Sequence, residues 1–169
     1  DVDGDGDLDL LTANFSSENV SVRLNNGTGT FGSAPDVSVD GTPFSVVLGD
    51  VDSDGDLDLL TANGASFATP GNTVSVRLNN GSGVFSGLQN VPVGNVPYRV
   101  AVGDVDGDGD LDLLASNVDD YTVSVRLNDG TGQFSGTTDV SVGGMPLGLT
   151  LGDVDGDGDL DLLTANNDT

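Results

Sequence analysis

An all-β chain of stacked four-stranded sheets is predicted by three features of the sequence. A D-x-D-x-D-G-D-L-D stretch occurs four times, at Asp1 to Asp9, Asp50 to Asp58, Asp104 to Asp112 and Asp153 to Asp161. The starts lie 49, 54 and 49 residues apart, and whole segments repeat between them. Those segments alternate with strand period, and no capped stretch of helical period occurs anywhere.

Each repeat opens on an apolar strand: Phe44 to Gly49, Tyr98 to Gly103 and Leu147 to Gly152. A proline precedes each one (Pro43, Pro97, Pro146), where a missing N–H does no harm. One face of this strand is large and the other mostly small, which predicts close backbone approach on the small side. The aspartate stretch follows, and then a second strand, Leu57 to Ala62 and its equivalents. Leu57 and Leu59 face one way and Leu60 and Ala62 the other, so this strand is expected between two layers.

The third strand reads Val-Ser-Val-Arg-Leu-Asn. Its alternation places Val74, Val76 and Leu78 inward, with Ser75, Arg77 and Asn79 outward. The equivalent Arg23, Arg77 and Arg126 are then expected to be outward residues pairing with nearby acids. Turn signals come next, at Asn26 to Gly29, Asn80 to Gly83 and Asp129 to Gly132. A fourth strand near Val37 to Val39, Val91 to Val93 and Val140 to Val142 closes the unit.

The aspartate stretch carries the chemistry. Carboxylates at its first, third, fifth and ninth positions repel one another unless a cation lies among them. Glycine at the sixth position permits a sharp bend, and the carbonyl of the seventh can serve as a neutral ligand. An oxygen-only donor set at this spacing points to Ca²⁺, with Mg²⁺ the weaker competitor because it keeps its waters. The candidate metal residues are Asp1, Asp3, Asp5, Asp7 and Asp9; Asp50, Asp52, Asp54, Asp56 and Asp58; Asp104, Asp106, Asp108, Asp110 and Asp112; and Asp153, Asp155, Asp157, Asp159 and Asp161. An EF-hand would end in Glu at position twelve and run into a helix. Here that position is Thr12, Thr61, Ala115 or Thr164, and a strand follows.

Composition narrows the function classes. The 169 residues include no Cys, His, Lys or Trp, and carry a net charge of −24. Of the 28 acidic side chains 20 sit in the four stretches, so the charge is largely a by-product of metal sites. Nucleic acid and anionic membrane surfaces are poor partners for it, and no apolar run reaches transmembrane length. The usual bases and nucleophiles are missing, and the aspartates are committed to four equivalent loops; no catalysis is expected. Loops of Asp and carbonyl ligands suit calcium at extracellular concentration, so the expected location is outside the cell or on its surface. With no visible signal peptide and no initial Met, a mature product or a fragment is expected.

Four antiparallel strands in about 50 residues is the size of a β-propeller blade. The units divide as 1–43 (strands two to four), 44–96, 97–145 and 146–169 (strands one and two). About three blades plus a partial one are too few for a lone ring, which suggests a larger propeller or repeat array. Edge pairing with other copies of the chain is the rival reading.

The four D-x-D-x-D-G-D-L-D loops, the Leu-Leu-Thr-Ala-Asn type runs and Val-Ser-Val-Arg-Leu-Asn together resemble the FG-GAP/VCBS repeat family, which includes integrin α-subunit head propellers and bacterial surface proteins. Its name-giving stretch survives only as Phe31-Gly32-Ser33-Ala34-Pro35. The resemblance implies calcium on the loop between the first and second strands.

Sequons at Asn14, Asn19, Asn26, Asn80 and Asn167 are a modest excess over chance. Asn14, Asn26 and Asn80 are the preferred glycosylation acceptors. The expected function is a calcium-stabilised structural or adhesive array, with surface proteins or glycans as further partners. A carbohydrate-binding propeller is the alternative, although the chain has only two Tyr and six Phe for stacking on sugars.

Overall fold

The computed structural model describes residues 1–65 and 70–167. It contains four antiparallel sheets in chain order. The first holds β1 (Leu10–Asn14), β2 (Asn19–Asn25), β3 (Phe31–Ser33) and β4 (Val37–Ser38), with β3 and β4 pairing successive parts of β2. The second holds β5 (Thr42–Gly49), β6 (Asp58–Ala65), β7 (Pro70–Asn79) and β8 (Phe85–Pro92) in sequential order. The third repeats that order with β9 (Pro97–Gly103), β10 (Asp112–Asn117), β11 (Thr122–Asn128) and β12 (Phe134–Ser141). The fourth holds β13 (Met145–Gly152) and β14 (Asp161–Asn167). Among the described residues the only helical element is a 3₁₀ turn at Phe15–Ser17.

The sheets stack face to face, and the second strand shows how. On β6, Leu59 packs with Val20, Val22 and Val37 of the first sheet and with Val2 of the loop before it. Leu60 and Ala62, on the opposite face, pack with Val74 and Val76 and with Leu113 and Ala115 of the third sheet. All three β6 side chains are fully buried, as a strand apolar on both faces requires. Where no further sheet lies against it, the same kind of face is open: Leu10 is 48% and Leu163 40% exposed.

Two expectations need correcting. The fourth strand begins earlier than the valines suggest, at Phe85 and Phe134. A register shift lets the stretch beside the turn join the ladder: Val76 faces Gln89, but Leu78 faces Ser86. Gly87 and Gly136, at φ 79° and 97°, supply the left-handed residue that this bulge needs. In the first sheet the corresponding strand is split into β3 and β4 around Ala34-Pro35, where proline removes a ladder donor.

The larger correction concerns the polar face of the third strand. Ser75, Arg77 and Asn79 are not outward; their exposures are 0, 3 and 6%. Ser124, Arg126 and Asn128 are equally buried. These faces meet the preceding unit, and each of the six side chains has at least one hydrogen-bond partner there. Arg77 Nε donates to the Ser38 carbonyl at 2.9 Å, and its Nη1 to the Val76 and Gln89 carbonyls at 2.8 and 3.2 Å. Arg126 Nε donates to the Pro92 carbonyl at 2.9 Å, and its Nη1 to those of Val125 and Thr138, both at 2.9 Å. Ser75 and Ser124 accept the amides of Asp40 and Gly94 across the same seams. Arg23 is half-exposed and pairs with Asp36 at 3.5 Å; Arg126 pairs with Asp139 at 3.2 Å.

Candidate metal centres

Each aspartate loop joins a first strand to a second, or precedes β1, and all four are built alike. The first carboxylate folds the loop by accepting backbone amides. Asp1 accepts those of Gly4 and Gly6 at 2.8 and 2.9 Å. Asp104 accepts Gly107 and Gly109, and Asp153 accepts Gly156 and Gly158. Asp50 accepts Asp54 and Gly55. The fifth carboxylate accepts the seventh amide in every loop, at 2.9–3.0 Å. The ninth ties the loop to the sheet: Asp58 accepts the amides of Val51 and Asn79, at 3.0 and 2.8 Å. Asp9 and Asp112 do the same with Val2 and Asn25 and with Val105 and Asn128.

In this frame the carboxylates converge. Oxygens of Asp1, Asp3 and Asp5 lie within 4.8 Å of one another, as do those of Asp50, Asp52 and Asp58, of Asp104, Asp106 and Asp108, and of Asp153, Asp155 and Asp161. The seventh aspartates stand outside these clusters. A Cβ placed on Gly27, Gly81 or Gly130 would meet Oδ2 of Asp7, Asp56 or Asp110 at 2.5–2.6 Å, so those side chains lie over the following turn.

Asp52 Oδ1 is buried without a hydrogen-bond partner. A buried carboxylate oxygen left that way is costly, and it fits a cation ligand. Burial, followed by the charges of Asp54 and Asp50, pushes the Asp52 carboxyl above the ordinary range. Burial also raises Asp58, against the opposing pull of the Asn79 and Val51 amides. All donors are oxygens, the hard set that Ca²⁺ takes.

A pH dependence follows for the metal-free chain. Groups raised in the folded state bind more protons there than when unfolded, so their contribution is complete below about pH 4 and is lost as pH rises through the raised values. Melting in calcium-free buffer is expected to occur at progressively lower temperature from about pH 4 to 7. A midpoint that climbs over that interval would contradict the assignment.

The second loop has one local irregularity. Ser53 adopts φ 60° at the position held by Gly4, Gly107 and Gly156 in the other loops. Left-handed backbone costs a non-glycine residue about 1–2 kcal/mol, partly offset by the entropy that glycine adds to the unfolded chain. Ser53→Gly is therefore expected to stabilise the chain by about 0.5–1 kcal/mol in denaturant titration.

The glycosylation candidates divide. Asn26 and Asn80 are exposed on turns, each accepting bonds from the residue two positions on. Asn14 is not a loop residue: it ends β1, is part-buried, and spends its Nδ2 on Asn19 and Ser21, both at 2.8 Å. That nitrogen is the one a glycan would need. The sequon of Asn167 ends on Thr169, outside the described residues.

Sequence reasoning missed Asn79 and Asn128. Each donates through Nδ2 to its own loop, at Leu57 or Leu111, and also to the loop of the preceding sheet. Their recurrence, always as the last residue of a Val-Ser-Val-Arg-Leu-Asn run, was the available signal.

Comparison with known proteins agrees with this architecture. No curated protein sequence matches. Among solved structures, an Agrocybe aegerita lectin described as specifically recognising non-reducing terminal N-acetylglucosamine superposes with a TM-score of 0.58 and 25% identity, over 97% of this chain and 44% of that one. The chain thus spans less than half of the lectin's length. BBS1N in complex with ARL6DN aligns at a TM-score of 0.35 and 16% identity, over 88% of this chain and 56% of that one. The FG-GAP-like repeat matches residues 1–61, 65–115 and 107–164. With blades of β-propeller type and that repeat along nearly its whole length, the chain belongs to the FG-GAP-like repeat family.

Proposed function

We propose that the chain is a non-catalytic calcium-binding repeat array of an extracellular structural or adhesive protein. The observation that carries this reading is that in all four loops the first and third carboxylates converge with a further one, the fifth in the loops at Asp1 and Asp104 and the ninth in those at Asp50 and Asp153. Asp1, Asp3, Asp5 and Asp9, and their equivalents in the other loops, would hold the ion. Bound calcium supplies the positive charge that lets these carboxylates stay ionised side by side. The residues themselves fix the loop ends: the first aspartate closes the turn and the ninth anchors it to the sheet. Four equivalent sites favour a scaffold over an active centre, which would be unique. Calorimetric titration is expected to give four calcium ions per chain; a stoichiometry of zero or one would refute the proposal.

Carbohydrate binding is the second reading, favoured by the likeness to the lectin. At the strand ends remote from the aspartate loops, Phe44 packs between Phe15 and Tyr98 with tilted rings, their centroids 5.4 and 5.2 Å from its own, and Arg99 lies over Tyr98. Sugars with an apolar face dock on such rings. Retention on a glycan array in calcium, abolished by Tyr98→Ala, would favour this reading over a purely structural role.

A further inference from the structure

We infer that Asn79 and Asn128 couple consecutive metal loops, so that the first three loops bind cations as one linked series and not as independent sites. The inference rests on the calcium reading above and adds to it the residues that transmit occupancy. Asn128 makes three bonds with two loops. Its backbone amide donates to Asp112 Oδ1 at 2.9 Å and its Nδ2 to the Leu111 carbonyl at 3.1 Å, both in the loop of its own sheet. The same Nδ2 donates to the Val51 carbonyl at 2.8 Å, in the loop of the preceding sheet. Asn79 repeats the pattern: amide to Asp58 Oδ1 at 2.8 Å, Nδ2 to Leu57 at 3.2 Å and to Val2 at 2.8 Å.

The contacted atoms are not peripheral. Val2 and Val51 are the second residues of their loops, flanked on both sides by aspartates of the clusters. Both valines are buried, at 2 and 1% exposure, beneath the following sheet. The amide of Gly83 also reaches the Val2 carbonyl, at 2.8 Å. A Cβ on Gly132 would lie 3.6 Å from the Asp52 Cβ and from Val51. The second and third positions of one loop are therefore packed under the turn of the next sheet. The eighth and ninth positions of the following loop hold the asparagine that reaches back. Ordering either loop around a cation fixes that asparagine, and the other loop then has less freedom left to lose. Among the described residues no such bond reaches Val105 or Val154, and Val154 is 66% exposed. Among the described residues the series links the loops beginning at Asp1, Asp50 and Asp104.

The test is a calcium titration of the full chain followed by NMR, with the amides of Gly6, Gly55, Gly109 and Gly158 reporting one loop each. Outer-shell partners carry roughly 10–100-fold in metal affinity. Asn128→Ala is expected to weaken the loops of Gly55 and Gly109 by about tenfold and that of Gly6 by less, through Asn79 alone. Asn79→Ala should weaken those of Gly6 and Gly55 most and Gly109 less, through Asn128 alone. Asp54→Asn, an exposed change inside the second loop that does not threaten the fold, should lower affinity at Gly6 and Gly109 but not at Gly158. Simple loss of packing would lower all four reporters alike, and that result overturns the inference. Unchanged affinities at Gly6 and Gly109 beside an impaired second loop would overturn it too, while leaving the calcium reading intact. No response to calcium in the parent chain would remove both.

Discussion

Excess chelator is expected to lower the melting temperature of the chain by about 12–24 °C. At ~1 mM calcium and a dissociation constant of ~0.1 mM, one site contributes about 1.4 kcal/mol and four about 6. For a domain of this size each kcal/mol moves the midpoint by about 2–4 °C. The structure gives the effect a mechanism. In each loop three carboxylates converge within 4.8 Å, and the 28 acidic side chains have only four Arg to oppose them, leaving a net charge of −24. Four divalent ions would offset about a third of that charge. Differential scanning calorimetry with and without chelator at constant ionic strength is the measurement. A midpoint unmoved by chelator would sink the proposal that these loops are calcium sites.

Arg77→Ala is expected to cost about 3 kcal/mol, and Arg23→Ala less than about 0.5. The two arginines occupy the same position of the same repeat, so their difference isolates the environment. Arg77 is 3% exposed and donates to carbonyls on both sides of a sheet-to-sheet seam. Truncation leaves those carbonyls buried without a donor, at about 1–3 kcal/mol each before relaxation, and opens a cavity. Arg23 is half-exposed, and its ion pair with Asp36 is of the surface kind. Arg77→Lys should recover only part of the loss, because an ammonium cannot reproduce the planar fork. Urea denaturation of the three variants measures this, and equal losses at positions 23 and 77 would show that burial at the seam is not the cause.

Most of the fold was legible because its signals are local. The loop spacing, the Asn-Gly and Asp-Gly turns and the two-faced Leu59-Leu60 strand each act within a few residues of chain. The polar face of the third strand was not legible, because alternation marks only which residues share a side. It does not say what lies against that side. Ser75, Arg77 and Asn79 read as solvent-facing by residue type, yet a neighbouring sheet presents them with carbonyls and amides. The clue lay in their sameness: Ser-x-Arg-x-Asn recurs unaltered at 21–25, 75–79 and 124–128. An exposed face has no reason to repeat so strictly within one chain. At the loops, the sequence supplied the aspartates but not their division of labour. Which carboxylates converge and which lie over a turn depends on backbone that only the folded loop defines.

The seam between the second and third sheets is made by the same three polar side chains as the seam between the first and second. Any unit of this kind can therefore follow any other without a new junction having to evolve. Unequal crossing-over within the gene would lengthen or shorten the protein by whole units, and each product would inherit joints that already fit.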